Sequence, residues 1–199
     1  MPSQNKLTIA QVLFTLLMYA MGAMVLGLAL FPSLYMIFSV WEQNAHLSLA
    51  GRVFYLSLSI AGGYFIFGLL LILLVCLVRF IFQLNIREGT HSVGSVQMLK
   101  WMMSGALILA VRFTFMEFIL LTPFCALFYR LMGAKLGRNV QINSSNVGDI
   151  PMLEIGDNSV IGGNATVICH LFETRGLRVK KVKIGKNVIV GLNSVVMPG

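Results

Sequence analysis

The sequence predicts an α-helical membrane region followed by a left-handed parallel β-helix of hexapeptide repeats. Three observations predict it. Apolar residues make up 57% of the 199 residues and charged residues only 11%, whereas a soluble domain averages roughly 45–50% apolar and about 25% charged. The apolar excess lies before residue 130, and the last seventy residues have an ordinary soluble composition. Those later residues carry a six-residue beat. Leu136-Gly137, Ile155-Gly156, Ile161-Gly162, Ile184-Gly185 and Val190-Gly191 each open a hexad. The chain therefore divides into a membrane region, 1–131, and a β-helix domain, 132–199.

In the membrane region, a bilayer is crossed by about 20 apolar residues. The segment from about 7 to 40 is long enough, with Pro32 expected to kink or end it. Met21-Gly22-Ala23 and Gly27 offer a small-residue face for helix packing. Trp41 to Arg52 is a short, nearly neutral connection, with Trp41 suited to a membrane interface. The segment from about 53 to 82 is the second span, with Ala61-Gly62-Gly63 and Gly68 as its close-contact residues. The segment 101–131 contains Arg112, Glu117 and Pro123. Arg112 and Glu117 are five apart and do not face each other on one helix, so their partners lie elsewhere. This third segment is expected to be interfacial or re-entrant. Basic residues concentrate between Arg79 and Lys100 and at Arg130, Lys135 and Arg138. The positive-inside bias then places both termini on the cytoplasmic side of the cell (inner) membrane, with a multi-pass anchor. The first apolar run is too long, and its start too weakly basic, for a cleavable signal peptide.

In the repeat domain, a period of six fits neither an α-helix nor a simple strand and points to a parallel β-helix. Three hexads make one triangular coil. The aliphatic residue at each start points inward, and the Gly, Asp and Asn after it serve the corner. Starts at 155, 161 and 167 are in phase, as are 184, 190 and 196. Those at 136, 142 and 148 miss 155 by one residue, which places an extra residue near Asp149-Ile150-Pro151. The gap from 167 to 184 is not a multiple of six, so a loop, 170–183, is inserted. The chain stops at Met197-Pro198-Gly199 inside a hexad, which predicts a shortened chain or an end covered by another subunit.

Composition narrows the function. The net charge of +8 matches the positive-inside bias of a membrane protein. Nucleic acid is not an expected partner, because Phe172 is the only aromatic residue in the repeat domain and no basic face is interleaved with aromatics. The three cysteines, Cys76, Cys125 and Cys169, have no metal spacing and form no even framework. No metal is expected, since His170 is the repeat domain's sole histidine and histidine-based zinc sites use several.

The tract Phe128-Tyr129-Arg130-Leu131-Met132-Gly133-Ala134-Lys135-Leu136-Gly137, together with Ile155-Gly156-Asp157, His170-Leu171-Phe172-Glu173 and Val182-Lys183-Ile184-Gly185, resembles the hexapeptide-repeat acyltransferase superfamily. More narrowly, it resembles the membrane-embedded C-terminal modules of epsilon-poly-lysine synthetase-type non-ribosomal peptide synthetases. The resemblance implies a trimeric left-handed β-helix, a homotrimer for a chain carrying one module. It also implies acetyl-CoA or another acyl thioester in the groove between neighbouring prisms. A loop histidine then acts as general base, and His170 occupies that place.

Taken from the residues themselves, His170 sits where the hexad phase breaks, and histidine has a pKa suited to acid–base chemistry near neutrality. The alternative is an incidental loop-edge histidine. Glu173 orients the imidazole or holds an amine acceptor, either of which makes it a second catalytic residue, or it pairs with a nearby arginine. Cys169 and His170 are neighbours in an extended chain and point to opposite faces, so they form no dyad. Arg175, Arg178, Lys180, Lys181 and Lys183 form a basic run that suits the phosphates of coenzyme A, anionic membrane lipids or plain solvent. The expected function is a membrane-anchored acyltransferase. Its acceptor would be a lipid-linked sugar, a polysaccharide precursor or an amino compound. Amide-bond formation on an aminoacyl thioester and a non-catalytic trimeric scaffold are the alternatives.

Overall fold

Apolar helices come first in this chain and short, mostly parallel strands come after. The structure is a computed structural model that describes residues 4–174 and 176–198; Arg175 and Gly199 lie outside the described residues. The chain forms two units, residues 1–75 and 76–199.

The first unit holds α1 (Gln4–Gln43) and most of α2 (Leu49–Ile81). Pro32 lies inside α1 and does not end it. Close packing within this unit falls on Gly63: the Ser33 hydroxyl donates to its carbonyl at 2.8 Å, and a Cβ there would stand 3.3 Å from Ile37 Cδ1. Gly22 and Gly27, expected to form a packing face, have nothing within 4 Å of an added Cβ. The connection between the helices is held by the Arg52 guanidinium, 3.8 Å over the Trp41 ring.

Among the described residues, three helices are long and apolar enough to cross a membrane: 11–43 within α1, α2, and α3 (Val96–Thr114). The third is the shortest. It begins at Ser95, whose hydroxyl accepts from the Met98 N–H at 3.3 Å, meeting one of the unpaired donors of a first turn. Residues 101–131 do not form one helix. α3 breaks at Phe115, and the chain continues through α4 (Met116–Ile119) and α5 (Pro123–Leu131). Pro123 stands at the start of α5, where its missing N–H costs nothing. Arg112 finds its partner in the repeat region, donating to Asn146 Oδ1.

The later strands fall into parallel sheets: β2 (Lys135–Leu136), β4 (Leu153–Ile155) and β9 (Val182–Ile184) in one, and β3 (Gln141–Ile142), β5 (Val160–Ile161) and β10 (Ile189–Val190) in a second. The third joins β6 (Thr166–Val167) to β11 (Val195–Val196), with Val147 bridging to Val167. Lys135 lies opposite Glu154, three hexads and one residue later, and Glu154 lies opposite Lys183, three hexads and eleven residues later. The hexad starts Ile142, Ile155, Ile161, Val167, Ile184 and Val190 are buried. Each such side chain contributes about 1.5–3 kcal/mol when fully buried.

The turns between these strands divide labour more finely than the hexad pattern implies. In the five hexads that open with an aliphatic residue and glycine, the left-handed backbone angle falls on the fourth residue, at Asn139, Asn158, Asn164, Asn187 and Asn193, with φ between 54° and 56°. Asparagine tolerates this region best after glycine, and the side chains stack into a ladder, Asn139 donating to Asn158 at 3.1 Å and Asn158 to Asn187 at 3.3 Å. Three of the glycines at the second position, Gly137, Gly156 and Gly162, serve close approach instead. A Cβ on Gly156 would meet the Lys186 nitrogen at 2.7 Å, and one on Gly162 the Val190 oxygen at 2.7 Å.

Two departures from the six-residue beat position the site. Val147, not Gly148, is the residue that pairs with Val167, and the longer stretch from it to Ile155 contains a 3-10 turn, Ile150–Met152, with Asp149 in a left-handed conformation at φ 48°. The insertion after Val167 is a hairpin, β7 (His170–Glu173) against β8 (Gly176–Val179), extended on its far side by β1 (Gly89–His91).

Candidate functional site

Asp149 and His170 come together where these two departures meet. Asp149 precedes the 3-10 turn, and its carboxylate meets the first residues of the hairpin. Its Oδ2 lies 2.6 Å from His170 Nδ1 and accepts the Cys169 N–H at 2.8 Å. Its Oδ1 accepts the indole N–H of Trp101, on α3, at 2.7 Å. The Asp149 side chain is only 6% exposed, that of His170 25%. A carboxylate this deep needs donors to offset lost hydration, and here three converge on it. All three belong to residues of the second unit.

The arrangement sets the tautomer of His170. An ionised carboxylate only accepts, so Nδ1 carries a proton and donates it. Nε2 is left with its lone pair, free to take a proton from a nucleophile. The imidazole is walled by aromatic rings: Trp101 at 4.8 Å between centroids and Phe172 at 6.0 Å, both edge-on, with Trp101 and Phe172 5.6 Å apart. Trp101 thus touches both members of the pair. The chemistry available is a positioned, carboxylate-oriented base in a partly open aromatic setting.

Glu173 does not reach this pair. It accepts from Arg178 at 3.0 Å on the exposed strands of the hairpin. Alternate residues of a strand point to opposite faces, and Glu173 stands three residues beyond His170. The carboxylate that orients the imidazole is therefore Asp149. Glu173→Gln is expected to leave any acyl transfer within about threefold, because an exposed ion pair contributes only about 0–1 kcal/mol; initial rates of the two proteins side by side check this.

Cys169 is buried and its amide, not its thiol, serves the site. Burial, reinforced by the charge of Asp149 and opposed by a backbone hydrogen bond at Val182, pushes the thiol up to about 12. It is protonated at neutral pH and a poor nucleophile. Iodoacetamide at mildly alkaline pH is expected to leave Cys169 unmodified in the folded protein and to label it after denaturation, as read by peptide mass spectrometry. Rapid labelling of the folded form would contradict the buried placement.

The basic run is spread over several partners. Arg178 pairs with Glu173. The Lys181 N–H donates to Glu88 Oε1 at 2.8 Å, while its ammonium stands 3.6 Å from Glu154. Lys135 and Lys183 approach the same carboxylate at 3.3 and 3.9 Å. Partial desolvation raises the Glu154 carboxyl, but the hydrogen bond from Lys135 and the surrounding lysine charges outweigh it and hold it below its usual value. Lys180 is exposed, and its N–H donates to the Cys169 carbonyl at 2.9 Å. These surface pairs are weak enough to exchange for an anionic ligand.

Sequence reasoning missed Asp149 and Trp101. The signal for Asp149 is present in the sequence, since the phase slip confines the extra residue to the neighbourhood of Asp149-Ile150-Pro151. Nothing local marks Trp101, which reaches the site from a helix 48 residues away.

No family model matches the chain, and no solved structure matches it either. Two named relatives do. The chain is 25% identical over 83 residues to a Delta-poly-L-ornithine synthetase of Acinetobacter baumannii, a match spanning 42% of this chain and 6% of that protein. It is 31% identical over 85 residues to a Bacillus subtilis protein named as a candidate acetyltransferase, YvoF, spanning 39% of this chain and 49% of the relative. The chain thus spans less than half the length of either. One name is a synthetase and the other an acetyltransferase, and together they suggest a generic acyl-transfer role.

Proposed function

We propose that this protein is a membrane-anchored acyltransferase of the hexapeptide-repeat class. It moves an acyl group, acetyl in the simplest case, from a thioester donor to a hydroxyl or amine acceptor. The observation that carries the reading is the Asp149–His170 pair, 2.6 Å between Oδ2 and Nδ1 with a partly exposed ring. The likeness to a candidate acetyltransferase supports it. The parallel registers and asparagine corners support a left-handed β-helix as the winding of residues 132–199. The long apolar helices support a membrane anchor, and the basic clusters between Arg79 and Lys100 and at Arg130, Lys135 and Arg138 favour the inner membrane with the repeat domain on the cytoplasmic side.

In this reading His170 Nε2 takes the proton of the acceptor hydroxyl or amine as that oxygen or nitrogen attacks the thioester carbonyl. A tetrahedral intermediate forms. Its collapse breaks the carbon–sulfur bond, and the thiolate recovers the proton from the imidazolium. Asp149 holds the ring and stabilises the transient positive charge, and Trp101 holds Asp149. Arg175, Arg178, Lys180 and Lys181 receive the donor's phosphates, in a homotrimer whose neighbouring copy completes the groove. The acceptor is a lipid-linked sugar, a polysaccharide precursor or an amino compound.

The likeness to a poly-ornithine synthetase favours a second reading, in which the acceptor is an amine and the donor an aminoacyl thioester, so that the product is an amide. Purified full-length protein supplied with acetyl-CoA or an aminoacyl thioester, each with a membrane extract, separates the two by which donor releases free thiol. Mass spectrometry of lipid and glycan fractions identifies the acceptor. Absence of donor turnover, together with unchanged fractions when the protein is removed from cells, would falsify both and leave a scaffold.

A further inference from the structure

We propose that the turn closing α2 is a binding site for a phosphate oxyanion, built on Arg79 and separate from the Asp149–His170 pair. After Ile81 the chain reverses sharply. The Leu84 N–H reaches back to the Arg79 carbonyl at 3.1 Å, Gln83 takes a left-handed conformation at φ 46°, and the Asn85 N–H closes onto the Gln83 carbonyl at 2.6 Å. This reversal encloses a concavity of about 370 Å³ lined by Arg79, Phe80, Ile81, Gln83 and Asn85.

The guanidinium is fixed before any ligand arrives. Nη1 donates to the Leu131 carbonyl at 3.2 Å and Nη2 to Asn85 Oδ1 at 3.3 Å. It lies against Gly133, where an added Cβ would overlap Nη2. The Lys100 ammonium is drawn to the same turn, donating to the Gln83 carbonyl at 2.9 Å. Every acceptor here is a neutral oxygen. Among the described residues neither Arg79 nor Lys100 pairs with a carboxylate, unlike Lys135, Lys181 and Lys183, which share Glu154. Arg79 Nε is buried with no partner.

Two cations without counter-charge, one a preorganised planar fork, form the chemistry that recognises phosphate. Beside Arg79, Gln83 and Asn85, the wall is hydrocarbon from Phe80 and Ile81. Phe80 and Ile81 are 78% and 61% exposed, at the end of a helix apolar and long enough to cross a membrane. A phosphate carrying acyl chains fits both halves of that wall, as basic pockets at helix ends do for anionic head groups. A free phosphate fits the polar half alone.

The test is native mass spectrometry of the full-length protein in detergent. Phosphatidylglycerol is added in one arm and inorganic phosphate in the other. Wild-type protein is compared with Arg79→Gln, Asn85→Asp and Arg87→Gln. Asn85→Asp keeps Arg79 in place and supplies it with a carboxylate, so it decides the matter even if Arg79→Gln folds poorly. Bound lipid is expected on wild-type and Arg87→Gln protein, and at least about tenfold less of it on the other two variants. Retention of inorganic phosphate with the same variant pattern, and no lipid, assigns the site to a soluble phosphate. Binding of neither, or equal binding by wild-type protein and Asn85→Asp, would overturn the proposal, as would equal loss in Arg87→Gln.

Discussion

Replacing His170 with alanine is expected to lower acyl transfer by about 10²–10⁴-fold, the span of a positioned general base. Asp149 claims the Nδ1 proton, so Nε2 is the one strong proton acceptor of the ring, and the ring is partly open to solvent. Alanine removes that acceptor and leaves the 3-10 turn and the sheets untouched. The loss therefore belongs to kcat, with the KM for the thioester little changed, because the proton moves only in the transition state. Steady-state kinetics on the purified protein check this. A variant that retains full turnover would place the chemistry elsewhere.

Replacing Asp149 with asparagine is expected to cost about 10²-fold or more in the same assay, without removing the base itself. The carboxylate accepts from three donors, Trp101 Nε1 at one oxygen and both Cys169 N and His170 Nδ1 at the other. An amide has only one acceptor atom. If its NH₂ faces the histidine, the imidazole must move its proton to Nε2 and ceases to be a base. If it faces Trp101, two donors oppose each other in a buried setting. Either arrangement strands a donor, which costs about 1–3 kcal/mol in folding stability as well. The expected outcome is a joint loss of turnover and denaturation midpoint, whereas His170→Ala lowers turnover with little change in the midpoint. A variant that is merely less stable, with turnover intact, would reduce Asp149 to a structural support.

Both predictions rest on a residue that no local pattern assigns to the histidine, and the reason is physical. Hydrophobic period is a local property, carried by neighbours six apart, so the repeat region, the inserted segment and the position of the extra residue are all legible in the sequence. His170 is legible too, because it stands where the beat fails. Partner choice is not local. Glu173, three residues away, is a reasonable candidate for the imidazole, yet strand alternation turns it toward Arg178. Asp149, twenty-one residues away, reaches the imidazole from the irregular stretch between Val147 and Ile155, where it precedes the 3-10 turn Ile150–Met152.

The apolar segments show the same division. Their lengths follow from composition alone, since about 20 apolar residues suffice to cross a bilayer. How 101–131 is divided does not. The break at Phe115 and the restart at Pro123 answer to burial of Phe115, Met116, Phe128 and Tyr129. The pairing of Arg112 with Asn146 is equally invisible along the chain.

That apolar helices precede a six-residue repeat, and that the repeat is interrupted twice, follows from the order of residues alone. That the two interruptions face each other, that Trp101 reaches them from α3, and that Asp149 is the carboxylate they share emerges only on folding. Periodicity is written between neighbours along the chain, but a hydrogen bond is made by whichever groups the packed strands bring within about 3 Å.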